Sequence, residues 1–201
     1  MSVDVAIIDS GGANLASLVY ALQRLGARAV VTDQHDAIRS APRVLLPGVG
    51  SAGNAMARLR ASKLDALIPR LTQPLLGICL GMQLLYDASA EGDAGDTACL
   101  GILPGRVARM PASPSLPVPH MGWNRLRIQR ADPLLEGITD ADYFYFVHSY
   151  AAPLGPHSLA ATEYGAEFTA VARRDNFRGA QFHPERSARP GARLLANFLT
   201  L

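Results

Sequence analysis

The chain has 201 residues, 49% of them hydrophobic and 18% charged, which suits one globular domain spanning residues 1–201 with a sizeable core. Its formal net charge of +2 comes from 19 basic and 17 acidic residues scattered along the chain, so no nucleic-acid footprint is visible. Residues 1–9 lack the basic and apolar regions of a signal peptide, no stretch approaches membrane-spanning length, and Cys79 and Cys99 form neither a C-x-x-C pair nor a disulfide framework. The expectation is a cytoplasmic protein that binds neither nucleic acid nor membrane.

Taken in order, residues 3–8 are a short β-branched run ended by Asp9-Ser10-Gly11-Gly12, and residues 14–25 carry apolar side chains at helical spacing until Gly26 stops them. Residues 27–31 and 44–46 read as two further strands. The second of these runs into Pro47-Gly48-Val49-Gly50, with a helix from about Ser51. Residues 73–86 read as a buried strand over 75–78 that passes straight into a helix. Strand and helix alternate, so the N-terminal half is expected to be α/β, a parallel sheet with helices on both faces. Beyond about Leu100, short β-rich runs follow at 106–110, 123–128, 143–147, 159–162, 168–173 and 178–182. Residues 111–119 hold too much proline for a central strand and read as an exposed connection, and residues 192–201 close the chain as an apolar-striped helix.

The chemistry gathers at Gly77-Ile78-Cys79-Leu80-Gly81. Gly-x-Cys-x-Gly has the spacing of a nucleophile elbow, where small flanking residues permit a strained strand-to-helix turn that exposes the central side chain. A sulfur at a helix N-terminus meets unpaired amide donors and the helix dipole, both of which favour the nucleophilic thiolate. Free cysteines are also common as small inert core residues, so the motif alone leaves two readings of Cys79.

Gly48-Val49-Gly50-Ser51-Ala52-Gly53 matches G-x-G-x-x-G between a strand and a helix, the context of a dinucleotide-binding loop. Against a nucleotide cofactor, the loop follows the third strand, and no later strand supplies an evident ribose-binding acid, Asp65 falling inside a helical pattern. Two other readings are a structural glycine turn and an oxyanion wall whose backbone amide serves a substrate on Cys79. Gln181-Phe182-His183-Pro184-Glu185 places an imidazole and a carboxylate on one face at the end of a strand. Such a pair can take the thiol proton and fix the imidazole tautomer, as cysteine-dependent acyl transfer requires. A zinc-deaminase reading of His-x-Glu fails because no cysteine follows position 99. Pro119-His120-Met121-Gly122-Trp123-Asn124 and Tyr143-Phe144-Tyr145-Phe146-Val147-His148-Ser149-Tyr150 show no evident catalytic arrangement. The aromatic run is expected to be a buried strand and Trp123 a core or interface residue. His35 and His157 read as solvated surface residues, and Cys99 as a bystander thiol.

Together, Pro47-Gly48-Val49-Gly50, Gly77-Ile78-Cys79-Leu80-Gly81-Met82-Gln83 and Gln181-Phe182-His183-Pro184-Glu185 resemble the three signatures of class I (triad-type) glutamine amidotransferases. Within that class, residues 119–124 and 145–150 look like the glutaminase subunits of imidazole glycerol phosphate synthase in histidine biosynthesis, and the likeness covers essentially the whole chain. The Ser10-Gly11-Gly12-Ala13 turn departs from many relatives. The resemblance implies a flavodoxin-like α/β fold with a central, mostly parallel sheet, helices on both faces and additional antiparallel strands in the C-terminal half. It implies hydrolysis of L-glutamine to glutamate and ammonia by a catalytic triad of Cys79, His183 and Glu185, through a cysteinyl thioester. Val49 and Leu80 would form the oxyanion hole, and Gly50, Gln83, Ser149 and Tyr150 would contact glutamine. No metal and no organic cofactor is implied.

The implied partner is a cyclase subunit that uses the ammonia to make imidazole glycerol phosphate and an aminoimidazole carboxamide nucleotide. That cyclase is a (β/α)8 barrel of about 250 residues, so it is expected as a separate polypeptide in a heterodimer. Asn14, Trp123, Asn124, Tyr145 and Arg186 are the implied contact surface. Two rivals remain: another cysteine hydrolase on a related sheet, such as a γ-glutamyl hydrolase or an amidotransferase serving another pathway, against which residues 119–124 argue, and a non-enzymatic nucleotide-binding module built on residues 48–53.

Overall fold

Strand β1 (Val5–Ile8) shows why the sheet is covered on both sides. All four residues are buried, Val5 and Ile7 in one apolar cluster and Ala6 and Ile8 in another. A strand that is apolar at every position must lie between two layers, as parallel strands do. The computed structural model describes residues 3–9, 15–92, 95–114 and 116–201.

After β1 come α1 (Leu15–Arg24), β2 (Ala29–Thr32), α2 (His35–Ser40), β3 (Val44–Gly48), α3 (Ala52–Ala61), α4 (Leu64–Leu67), β4 (Leu75–Cys79) and α5 (Leu80–Gln83). The second half carries β5 (Tyr86–Ser89), β6 (Thr97–Ala98), β7 (Leu103–Arg109), β8 (His120–Arg125), β9 (Arg127–Ile128), β10 (Tyr143–His148) and β11 (Tyr150–Ala151). It ends with β12 (Ser158–Tyr164), β13 (Ala166–Arg174), β14 (Phe177–Ala180) and α6 (Ala188–Phe198). The main sheet has the order β2-β1-β3-β4-β14-β13-β12-β9, parallel from β2 through β14 and antiparallel beyond. An α/β architecture with antiparallel strands added by the second half is therefore present. Helices α1 and α6 bury Leu22, Leu194 and Phe198 in one cluster, while α2, α3 and α4 bury Ile38, Met56 and Leu64 in the other. A ribbon of β8 with β10 and a small sheet β11-β7-β5-β6 are separate from the main sheet.

The helix expected to run from Cys79 towards Tyr86 stops after one turn, at Gln83. The amides of Leu100 and Ile102 donate to the carbonyls of Leu84 and Leu85, both at 2.9 Å, so a distant segment takes acceptors that a longer helix would have used. Tyr86 then opens β5, a short strand with no periodicity visible in the sequence. Residues 111–119 are exposed or half-exposed wherever they are described, as their prolines predict. The turn at residues 10–13 lies outside the described residues.

One buried ionic cluster ties the antiparallel strands to the turn before them. The fully buried Asp132 carboxylate receives Arg178 Nε at 2.9 Å and Arg173 Nη1 at 2.8 Å, and it caps the 3-10 turn Pro133–Leu135 by accepting from the Leu134 amide at 2.8 Å. Burial opposes the charge, but hydrogen bonds from Arg178, Leu134 and Arg173 outweigh it and hold the Asp132 carboxyl below the usual carboxylate range. With a depressed folded-state pKa, the cluster's contribution is present above the unfolded value and is lost as pH falls through the folded one. Asp132→Ala strands the buried Arg178, so it is expected to cost about 3–5 kcal/mol, read as a lower urea midpoint at neutral pH. A midpoint equal to wild type would show the cluster to be dispensable.

Candidate active site

Cys79 ends β4 with φ 52°, in the left-handed region, and α5 begins at the next residue. A non-glycine residue held there stores about 1–3 kcal/mol, so the surrounding packing must over-determine it. Backbone contact supplies that packing. A Cβ at Gly81 would collide with the Leu46 carbonyl, one at Gly77 would lie 2.6 Å from the Gly81 carbonyl oxygen, and one at Gly48 would lie 2.8 Å from the Gly81 amide nitrogen. The elbow expected from Gly77-x-Cys79-x-Gly81 is thus present, over a single helical turn. Leu80 opens that turn, so its amide has no intrahelical acceptor.

His183 arrives from β14. The spacing predicts His183 and Glu185 on one face at the end of a strand, but β14 ends at Ala180 and Pro184–Arg186 forms a 3-10 turn. Proline suits the first position of that turn, where no amide donor is needed. The turn brings Glu185 Oε1 to 2.9 Å from His183 Nδ1, with the two side chains 4% and 8% exposed. Burial alone would oppose charge on the imidazole, but hydrogen bonds to Cys79 and Glu185 outweigh it, and the His183 pKa is pushed up to about 10. Strand β10 fixes the turn in place. The Tyr145 carbonyl accepts from the His183 amide at 2.9 Å, the Tyr145 amide donates to Ser187 Oγ at 2.9 Å, and Ser187 Oγ donates to the His183 carbonyl at 2.6 Å.

A cleft of about 560 Å³ opens over Cys79, lined also by Val49, Gly50, Leu80, Gln83, Ser149, Tyr150, His183 and Arg186. Of the residues expected to carry catalysis, the oxyanion hole or glutamine contacts, only Glu185 stands off this wall, behind the His183 ring. The structure adds Glu91 and His148 to the lining. Nothing in the sequence marked Glu91, whereas His148 sits in the aromatic run that looked merely structural. Glu91 Oε2 accepts from the Ala52 amide at 2.9 Å, and Ser51 Oγ caps the same helix by accepting from the Asn54 amide at 3.4 Å. The Ala52 and Asn54 amides are thereby taken up within the protein and a carboxylate sits at the α3 N-terminus, which disfavours the anion that a dinucleotide reading of residues 48–53 would place there. Cys99 is a different kind of thiol, since burial, partly offset by Arg60, pushes its pKa up to about 11 and keeps it protonated.

Among the expected contact residues, Trp123, Tyr145 and Arg186 form one patch. The Trp123 and Tyr145 rings meet edge-on at 5.9 Å, and the Arg186 guanidinium lies 4.4 Å over the Tyr145 ring. Met121 and Tyr143 on the same ribbon are also exposed large hydrophobics. Strand alternation sends Asn124 to the opposite face from Trp123, where its Nδ2 donates to the Glu163 carbonyl at 2.9 Å. Asn14 lies outside the described residues.

A nucleophile elbow at the end of a central parallel strand, facing an imidazole–carboxylate pair, is an arrangement built for acyl transfer. The family model for glutamine amidotransferase class-I matches residues 6–201. The chain belongs to that family. Solved structures agree on the fold: one glutamine amidotransferase has a TM-score of 0.75 at 20% identity, over 98% of this chain and 97% of that one. A glutamine amidotransferase from Thermotoga maritima has a TM-score of 0.64 at 17% identity, over 94% of this chain and 79% of that one. The imidazole glycerol phosphate synthase subunit HisH of Xylella fastidiosa is 54% identical over 198 residues, 98% of both chains. Those of Xanthomonas oryzae, 52% identical over 98% of both chains, and Shewanella oneidensis, 49% identical over 98% of this chain and 96% of that one, are similar. Within the class, the chain's own family is that of the HisH subunits.

Two measurements test the site's construction. Gly81→Ala, whose new methyl would overlap the Leu46 carbonyl, is expected to lower the thermal midpoint and slow alkylation of Cys79 by more than about tenfold; wild-type values for both would mean the elbow tolerates a side chain there. Because His183 has a raised folded-state pKa, its contribution to stability is complete below about pH 6.5 and is lost as pH rises towards about 10. A stability titration should show that loss in wild type and not in His183→Gln, and matching profiles would refute it.

Proposed function

We propose that Cys79, His183 and Glu185 hydrolyse the side-chain amide of L-glutamine through a cysteinyl thioester. The observation that supports this most directly is the Cys79 elbow facing the His183–Glu185 pair on the wall of one cleft. His183, which its Cys79 and Glu185 partners push towards the cation, carries the proton while the sulfur attacks the amide carbon and the carbonyl electron pair moves onto oxygen. The amides of Leu80 and Val49 stabilise that oxyanion, a type of contact whose loss costs about 10²–10³ in rate. His183 then delivers its proton to the amide nitrogen, the C–N bond breaks, and ammonia leaves the thioester behind. Water, deprotonated by His183, attacks the thioester carbon; the C–S bond breaks, glutamate departs with its acid proton lost to solvent, and His183 keeps the proton it took from water. Glu185 holds the imidazole in one tautomer and steadies its cation. Gly50, Gln83, Ser149 and Tyr150 bind glutamine, and the Glu91 carboxylate on the same wall suits its α-ammonium group.

The protein is the glutaminase subunit of imidazole glycerol phosphate synthase, in histidine biosynthesis, with residues 1–201 acting as one glutaminase domain. Ammonia released into neutral water becomes ammonium, which has no lone pair to attack with, so it must pass directly to a synthase site. We take the receiving partner to be the cyclase subunit, a (β/α)8 barrel, docked as a heterodimer on the patch of Trp123, Tyr145 and Arg186. The exposed Trp123 ring, the half-buried Tyr145 and the exposed Arg186 guanidinium are the residue types that anchor protein interfaces. No helix among the described residues is long and apolar enough to cross a membrane, and we place the complex in the cytoplasm.

In the complex, Cys79→Ala is expected to abolish glutamine-dependent product and leave synthesis from added ammonium salts intact. Retained glutamine-dependent product would remove Cys79 from the mechanism, and loss of both activities would trace the defect to folding or assembly.

A further inference from the structure

A buried chain of hydrogen bonds runs from β8, the strand that carries Trp123, to the Cys79 sulfur. His120 and His148 are cross-strand partners at one end of the β8–β10 ribbon, and both are buried. Their surroundings fix each other's tautomers. The Tyr150 carbonyl, 2.9 Å from His148 Nδ1, can only accept, so Nδ1 carries the hydrogen. A neutral His148 then offers a bare Nε2, and His120 Nδ1, 3.1 Å away, must donate to it. His120 Nε2 is left bare and takes the Asn124 side-chain amide at 3.5 Å. The orientation of Asn124 is set independently, because its Oδ1 accepts from the Arg125 amide at 2.8 Å while its Nδ2 donates to the Glu163 carbonyl. Beyond Tyr150 the chain continues, as Gln83 Nε2 donates to the same carbonyl at 2.8 Å and to Gln181 Oε1 at 3.0 Å. Gln181 Nε2 then donates towards Cys79 Sγ at 3.8 Å.

Both rings are held neutral. Burial pulls the His120 pKa down to about 4, and burial together with the charges of His120 and His183 pulls that of His148 down to about 3 against the opposing Tyr150 hydrogen bond. The His120 ring is also stacked between Tyr164 at 4.1 Å and Phe146 at 5.0 Å, so it cannot turn over without disturbing both.

We infer that Asn124, His120 and His148 are positioning residues of the glutaminase site, a one-directional donor chain that holds the Tyr150 carbonyl, the group that also accepts from Gln83. The inference rests on the glutaminase reading given above. Trp123 and Asn124 are neighbours on β8 that point to opposite faces, so a partner seated on the aromatic patch loads the strand from which the chain starts. Every link donates in the same sense from Asn124 to Tyr150, which leaves a single arrangement of protons.

The first test is independent of activity. Long-range ¹H–¹⁵N correlation spectra of the labelled full chain, alone and with the cyclase, should show His120 and His148 as neutral Nδ1–H tautomers near pH 7, although imidazole in water favours the Nε2–H form. Either ring as the Nε2–H form or as a cation would overturn the chain, whatever the enzyme's reaction. The second test uses His148→Phe and His120→Phe, which keep an aromatic ring and delete the links. Each is expected to raise KM for glutamine by about tenfold or more with a much smaller change in kcat, while alkylation of Cys79 by iodoacetamide changes less than about twofold. His148→Asn, whose amide can donate to the Tyr150 carbonyl, should recover part of the KM. An unchanged KM in a folded His148→Phe protein would refute the positioning role. The Cys79→Ala experiment separately decides the glutaminase reading itself.

Discussion

Cys79 can face its cleft only because the backbone around it touches backbone. Its positive φ is tolerable where Gly48, Gly77 and Gly81 let β3, β4 and the α5 turn approach without side chains between them. The rest of the site follows from where that contact sits. β4 lies between β3 and β14, all three running parallel, so their C-terminal ends open on the same edge of the sheet. β3 therefore delivers Val49 and Gly50, β4 delivers Cys79, and β14 delivers His183 to one crevice, the position where open parallel sheets bind their ligands.

Three buried imidazoles lie close to one another here, and their partners set them to opposite charge states. His183 has a carboxylate and a thiol against it and is pushed towards its cation. His120 and His148 have carbonyl, amide and imidazole partners and are pushed towards neutrality by burial. Burial is common to all three, so the deciding factor is whether an anionic partner is present to offset desolvation. The same contrast separates the thiols. Cys99 is half-buried without an imidazole beside it and stays protonated, whereas the partner beside Cys79, His183, is the group whose pKa rises.

The ribbon of β8 and β10 serves both sides of the protein. Outward, it presents Trp123 and Tyr145. Inward, it contributes Phe144, Phe146, His120 and His148, and its Tyr145 backbone brackets the His183 turn. A two-stranded ribbon has only its two faces to use, so any load on the outer face is felt by the residues of the inner one. This is a physical route by which a load on the outer patch can reach the cleft over Cys79.

The amino-acid sequence determined the local devices. Alternating apolar runs and helical spacings set an α/β plan, and Gly77-x-Cys79-x-Gly81 specified the elbow because only small neighbours permit that turn. Gln181-Phe182-His183-Pro184-Glu185 named the imidazole and carboxylate that the structure pairs at 2.9 Å but not the turn that joins them, since a strand and a 3-10 turn both bring such residues close. Tertiary structure alone decided that β14 lies beside β4, that α5 ends at Gln83, and that Glu91 and His148 reach the cleft. Those outcomes depend on contacts between segments far apart in the chain, such as Leu100 with Leu84 and Gln181 with Gln83, and local periodicity carries no information about them.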